Sequence, residues 1–406
     1  MIEVQGKYGV AKVFTYNVEK EALESLTTLC DQPWTAGAKI RVMPDVHAGK
    51  GCCIGTTMMI TDKIVPNLVG VDIGCGMTTF CLKEKEIDLV KLDEVIRAFV
   101  PSGFNIHNTP TPYGAVYFGS LFEDLYCNKY LNGERALLSI GTLGGGNHFI
   151  EIGKGRGGDL FLVVHSGSRN MGHQIATHYQ QMATAYINSC GLGDIKVAID
   201  SLKATGKEAS IQQAIKEIKA RNASIPKGLE YLEGEGFHLY LHDMRLAQEY
   251  AELNRCAIIE TILTKMGLDF KFRFSTVHNY ISFKGNDGQE RLLRKGAVSA
   301  QKNELLLIPL NMRDGSLICK GKGNPDWNYS APHGAGRIMS RTKAKETLSL
   351  SQFEADMKDV YSTSICGSTL DESPRAYKPA VEIIKLIEDT AVVQDHLIPI
   401  YNFKAK

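Results

Sequence analysis

Between positions 174 and 265 the apolar residues recur at helical spacing, while on both sides they fall into short runs bounded by glycine and other turn residues. Helices are predicted there over 174–189, 211–221 and 243–265. The last places Met244, Ala247, Ala251, Ile258 and Ile262 near one face, as a core helix does. Upstream, 53–60 and 78–82 suit strands, with short helices near 20–30 and 91–99. Beyond Phe270 strands return at 271–277, 304–308 and 316–319, and a last helix, 380–389, precedes a short C-terminal strand. Strands, then a helical insertion, then strands again predict an α+β fold rather than regular βαβ winding. The 406 residues would allow two or three domains. No linker, repeat or low-complexity tract divides them, so 1–406 is expected to form a single elaborate domain of mixed β-sheets with its helical insertion at roughly 174–265.

The net charge of +1 argues against bulk coating of nucleic acid, yet it leaves room for a local basic groove. No uncharged apolar run of about 18 residues occurs, so no membrane span is expected. The opening Met1-Ile2-Glu3-Val4 does not read as a secretory signal. Ten dispersed cysteines without a CxxC pair read as reduced thiols in a cytoplasmic protein. Cys81, Cys127 and Cys190 are expected to be small core residues.

Six short motifs carry the chemistry. Met43-Pro44-Asp45-Val46-His47-Ala48-Gly49-Lys50-Gly51 sets an acid, an imidazole and an ammonium among turn residues; its bland reading is a solvated turn. Gly70-Val71-Asp72-Ile73-Gly74-Cys75-Gly76 sets a hard carboxylate three residues from a soft thiolate, and a thiolate sulfur can bridge two metals. Its bland reading is a β-turn with a buried cysteine. Gly144-Gly145-Gly146-Asn147-His148-Phe149-Ile150-Glu151 frees backbone N–H groups for a phosphate, although no P-loop Lys-Ser/Thr follows. Asn147 and Glu151 offer directed hydrogen bonds, and His148 a metal-binding nitrogen.

Val163-Val164-His165-Ser166-Gly167-Ser168-Arg169 ends a strand in an imidazole, with a guanidinium close behind. Val277-His278-Asn279-Tyr280 again ends a strand in His. A lone strand-end histidine is more often structural than a ligand. In Ser330-Ala331-Pro332-His333-Gly334-Ala335-Gly336-Arg337, backbone amides can wrap an anion beside His333. A helix starting near Gly334 would put Arg337 and Arg341 on one face. The bland reading is a glycine-flanked loop ahead of a basic helix. Together, one Asp, one Cys and three His make a two-metal set of mixed softness, with a further histidine free to act as a nucleophile. Chemistry alone implies metal-dependent phosphoryl or nucleotidyl transfer, and the spacings do not name the substrate.

In this order the motifs resemble the RtcB family of RNA-splicing ligases. The resemblance runs over nearly the whole chain, through 43–47, 72–76, 144–151, 165–169, 278–280 and 333–337 to 376–378, Pro399-Ile400 and Lys404. It implies a ligase that uses GTP and two manganese ions. RNA ending in a 3′-phosphate, or in a 2′,3′-cyclic phosphate that is first opened, is sealed to RNA with a 5′-hydroxyl. An enzyme histidine is guanylylated, GMP passes to the RNA 3′-phosphate, and the 5′-hydroxyl displaces it.

By the same resemblance Asp72, Cys75, His148, His165 and His278 are the metal ligands, Cys75 bridging, and His333 is the guanylylated nucleophile. Asn147, Glu151, Asn279, Ser316, Gly334, Ala335, Gly336, Tyr377 and Lys404 match guanylate-pocket positions. Arg337, Arg169 and Arg341 match phosphate-holding residues, and Asp45 is the candidate to orient or deprotonate the 5′-hydroxyl. An activating protein factor is an open partner, as is the choice between tRNA splicing and RNA repair. Where many relatives read Pro-Gly-Ser-Met, this chain has Pro309-Leu310-Asn311-Met312, so Asn311 marks the nucleotide pocket as a place of difference. The competing reading is a metal-dependent phosphoesterase that opens RNA 2′,3′-cyclic phosphates without ligation.

Overall fold

The helical stretch folds as two long helices, Arg169–Ala204 and Gly234–Met266, connected through Ile211–Ala223. The computed structural model describes residues 1–223, 225–284 and 290–405. Gly267, at φ 69, ends the second long helix in the left-handed turn that glycine adopts without strain. Met244, Ala247, Ala251, Ile258 and Ile262 are all buried on it, as their spacing predicts. The short helices Lys20–Cys30 and Leu89–Phe99 form as well, the latter capped by the Asp88 carboxylate accepting from Val90 N and Lys91 N.

The strands run in chain order as β1 (Ile2–Gln5), β2 (Val10–Val13), β3 (Ile40–His47), β4 (Ile54–Ile60) and β5 (Gly76–Leu82). Then come β6 (Phe149–Lys154), β7 (Leu160–Ser166), β8 (Phe270–Val277), β9 (Asn279–Lys284) and β10 (Glu290–Lys295). Last are β11 (Ala297–Ser299), β12 (Leu305–Asn311), β13 (Gly315–Gly321), β14 (Ser330–Pro332) and β15 (Ala391–Lys404). They form a six-stranded sheet, β1-β2-β3-β4-β10-β9, a β11-β14 pair, and a seven-stranded sheet, β12-β13-β15-β6-β7-β5-β8. The fold is α+β, with mixed sheets and helices in one domain.

The seven-stranded sheet positions the site. One face carries Phe80, Ile150, Ile152, Leu162, Val164, Tyr401 and Phe403, packed with Ile258, Ile259 and Ile262 of the second long helix. Burying each such side chain contributes roughly 1.5–3 kcal/mol. Because side chains alternate along a strand, Phe149, Glu151, His165, Asn402 and Lys404 turn to the opposite face.

Three expectations change. The C-terminal strand is not short but fourteen residues long, because β15 fills the middle of the sheet between β13 and β6. No helix starts near Gly334: residues 333–340 form a loop, and the next helix, Arg341–Thr347, opens where Ser340 caps Lys343 N. Arg337 and Arg341 therefore do not share a helix face. Cys190 is only half-buried, whereas Cys81 and Cys127 are in the core, and all ten cysteines are free thiols.

Candidate active site

Four of the strands in the large sheet end in the same place. Cys75 enters β5, His148 enters β6, His165 lies near the end of β7, and His278 leaves β8. Since β6, β7, β5 and β8 are antiparallel neighbours in that order, these residues gather along one rim of the sheet. Cys75 Sγ lies 3.4 Å from His148 Nε2 and 3.3 Å from His165 Nε2. Asp72 Oδ2 sits 3.0 Å from the same His148 nitrogen. The His278 ring centroid is 5.2 Å from that of His165 and 4.8 Å from that of His333.

The chemistry of this cluster fits a metal ion. Donor atoms of Cys75, His148 and His165 all fall within 4.8 Å of one another, and all three residues are buried. His148 Nδ1 is paired with the Leu143 carbonyl at 2.9 Å, which directs the proton there and leaves Nε2 as a lone-pair donor. Burial, reinforced by neighbouring imidazoles and His333, pushes His165 and His278 well below the usual histidine range, so both are neutral, as ligands must be. Burial opposes ionisation of Asp72, but His148, Cys75 and Arg169 outweigh it and hold the carboxyl at about 2. Burial and the Asp72 carboxylate push the Cys75 thiol up, so a thiolate there calls for a cation. Beneath the cluster the buried Arg255 ties Gly74 O and Ser166 O together at 2.9 Å each, fixing the Asp72–Cys75 turn against β7.

Beyond the cluster opens a cavity of about 360 Å³ whose wall includes Asn147, Phe149, Glu151, His165, Tyr377, Asn402, Lys404 and the loop Gly334–Arg337. That volume suits a nucleotide-sized ligand. Glu151 is buried between Ser316 Oγ at 3.3 Å and Asn402 Nδ2 at 2.9 Å. Burial raises its carboxyl to about 7 against the pull of both bonds and of Lys404. The Arg337 guanidinium lies 5.0 Å from the Tyr377 ring centre.

His333 hangs over the cavity from the end of β14. Its backbone N and its Nδ1 both meet the Asp45 carboxylate, at 3.1 and 2.6 Å. Asp45 was the candidate to meet a 5′-hydroxyl; the structure instead buries it completely behind His333. Three other expected residues stand off the cavity wall. Asn279 donates to Asp72 O and accepts from Gly296 N, bracing the metal-side turn. Ser316 reaches the ligand space only through Glu151. Arg169 lies under the glycine run, donating to Thr142 Oγ1 and Gly103 O.

That last contact changes the reading of the glycines. A Cβ on Gly144 would stand 1.8 Å from Arg169 Nη1, and Gly144 has φ +82. Gly144 is open for Arg169, whereas a Cβ on Gly145 or Gly146 would meet nothing nearer than 3.8 Å. Gly144→Ala is therefore expected to cost about 1–3 kcal/mol and to displace Arg169, read as a lowered thermal midpoint. An unchanged midpoint would contradict the contact.

Sequence reasoning missed Glu372, which takes Lys404 Nζ at 2.5 Å, Tyr377 OH at 2.7 Å, Arg341 Nη1 at 2.8 Å and Arg337 Nη1 at 3.4 Å. It also passed over His47, Phe149 and Asn402 as wall residues.

A family model described as tRNA-splicing ligase RtcB matches residues 26–115 and 128–405. The chain belongs to the RtcB family. An RNA-splicing ligase RtcB of Escherichia coli K12 is 31% identical over 392 residues, covering 89% of this chain and 88% of that protein. An RNA-splicing ligase RtcB2 from another Escherichia coli strain is 27% identical over 421 residues, covering 95% and 91%. A tRNA-splicing ligase RtcB of Archaeoglobus fulgidus is 25% identical over 472 residues, covering 96% and 92%. The match to the RtcB model spans the metal-type cluster, the cavity and the Asp45–His333 pair alike. Among the described residues, no helix is long and apolar enough to cross a membrane.

Proposed function

We propose that this chain is an RNA ligase that seals RNA bearing a 3′-phosphate or 2′,3′-cyclic phosphate to RNA bearing a 5′-hydroxyl, using GTP and manganese. The observation that carries the reading is the pair of Asp45 and His333. A buried carboxylate on Nδ1 fixes the imidazole tautomer and leaves Nε2 with its lone pair free beside a nucleotide-sized cavity. A phosphoesterase could use the same pair as a general base, so a covalent adduct on His333 is what separates the two readings.

The steps follow from that lone pair. His333 Nε2 attacks the α-phosphorus of GTP, a P–N bond forms, and pyrophosphate leaves with the electrons of the broken P–O bond. Asp45 keeps the Nδ1 proton in place and stabilises the positive charge that grows on the ring. A 3′-phosphate oxygen of the RNA, released by water where the end is a 2′,3′-cyclic phosphate, then attacks the same phosphorus, breaking P–N and returning His333 to its neutral form. Finally the 5′-hydroxyl oxygen attacks the RNA 3′-phosphorus, its proton passes to solvent, and GMP leaves with the electrons of the broken P–O bond. Arg337 and Arg341 supply positive charge on the cavity wall for these phosphates. Glu151, Lys404, Tyr377 and Asn147 line the space for the guanylate. Asp72, Cys75, His148, His165 and His278 would hold manganese, which when bound stabilises charge on a phosphoryl group and activates an attacking oxygen.

The test is a labelled-GTP incubation with manganese followed by denaturation. An acid-labile, alkali-stable protein adduct is expected in the wild type and none in His333→Gln. Absence of an adduct across nucleotides and metals, together with GTP-independent opening of cyclic phosphate in His333→Gln, would favour the phosphoesterase instead.

A further inference from the structure

Asn402 sits beside Glu151 on the cavity face of the large sheet, the two being paired in register across β15 and β6. Its neighbours Tyr401 and Phe403 point the other way into the core. Asn402 is only 2% exposed, and it forms part of the cavity wall. Its Nδ2 is committed to Glu151 Oε2 at 2.9 Å. Its Oδ1 is buried and has no hydrogen-bond partner among the described residues. A buried amide oxygen left unmatched is costly, and native structures rarely leave one without a reason. Asn402 also lines the ligand cavity, which makes a donor on a ligand seated there the available partner.

We infer that Asn402 is a base-reading residue, whose Oδ1 accepts from the exocyclic 2-amino group of guanine while Glu151 takes the adjacent ring N–H. The inference rests on the guanylate reading of this cavity. Two acceptors side by side match the two neighbouring donors on that edge of guanine. Adenine places a ring acceptor where guanine has its N–H, and hypoxanthine keeps the ring N–H but lacks the amino group. Asn311, the residue that sequence singled out as the point of difference, has no free polar end. Its Oδ1 accepts from Arg313 N and Asp314 N, and its Nδ2 donates to Asp314. It shapes the turn between β12 and β13, whereas Asn402 has an acceptor to offer.

The experiment compares GMP with IMP in direct binding to the whole protein, alongside adduct formation from labelled GTP and ITP. The wild type is expected to favour GMP over IMP by roughly 10-fold or more. Asn402→Ala should bring the two within about 2-fold, chiefly by weakening GMP. Asn402→Gln keeps both an amide donor for Glu151 and an acceptor, should retain a preference for GMP, and guards against a fold too weak to test in the alanine variant. Equal weakening of both nucleotides in Asn402→Ala would make Asn402 a mere prop for Glu151 and overturn the inference. So would a wild type that does not distinguish GMP from IMP. If neither GTP nor ITP labels His333 while GMP is still preferred, the ligase mechanism falls and base reading by Asn402 stands.

Discussion

Asp45→Asn is expected to cut guanylylation by roughly 1,000-fold, because one buried carboxylate fixes both the tautomer and the charge of the nucleophile. Its Oδ2 accepts from His333 N and Nδ1 at 3.1 and 2.6 Å, and it is fully buried. Asparagine has nearly the same shape, so the loop should stay in place. Its one acceptor oxygen can take both bonds, but it brings no negative charge to the ring as P–N forms. If its amide nitrogen faces Nδ1 instead, the imidazole must carry its proton on Nε2, and the attacking lone pair is gone. Packing around the pair leaves little room for escape: a Cβ on Gly336 would stand 2.5 Å from Asp45 O, and Gly336 has φ +73. The loop behind His333 thus closes directly on the Asp45 backbone. Single-turnover labelling with GTP measures the effect. Labelling within about 3-fold of wild type would show that Asp45 only supports the loop, and the nucleophile would then need another source of activation.

What the sequence made visible follows from how chemically distinctive each residue is. Cys75, His148, His165 and His278 are rare residue types at strand ends or beside glycine, and the sheet order β6-β7-β5-β8 does bring them to one rim. The α+β class was legible too, since helical and strand periodicities differ within a few residues. Strand order was not. β15 pairs with β6 across more than two hundred positions, and nothing local encodes such a partner. The same gap hid the wall of the cavity. Asn402 and Lys404 alternate with Tyr401 and Phe403. In sequence, that pattern is the same whether the polar face meets water or a pocket. Glu372 lies in an ordinary polar stretch, Asp371-Glu372-Ser373, and its importance comes wholly from which cations fold around it. Gly144 misled in the other direction: its lack of a side chain accommodates Arg169, a residue of the separate 163–169 motif.

Glu372→Gln is expected to destabilise the protein by about 3–5 kcal/mol, the largest stability effect of a single polar substitution at this site. The carboxylate is 2% exposed and is shared by Lys404, Arg341, Arg337 and Tyr377. Burial opposes its ionisation, yet Lys404, Arg341 and Tyr377 outweigh burial and hold it at about 2. Lys404 suffers most from its loss, since its remaining partner is the Asn147 carbonyl at 3.3 Å, whereas Arg341 keeps Asp371 at 2.6 Å. Glutamine has the same length but no charge, so a buried ammonium is left uncompensated. The sign of the pH dependence is fixed by the lowered value. Glu372 contributes its stability above its ordinary 4.5 and loses it as pH falls towards about 2, so the variant should show a shallower acid limb over that interval. Guanosine nucleotide phosphates can restore negative charge to Arg337 and Arg341, and saturating GTP should raise the thermal midpoint of the variant more than that of the wild type. Thermal unfolding across pH, with and without GTP, checks all three. A midpoint unchanged at pH 7 would mean that the cations find other partners, and an equal response to GTP would place the phosphates away from Arg337 and Arg341.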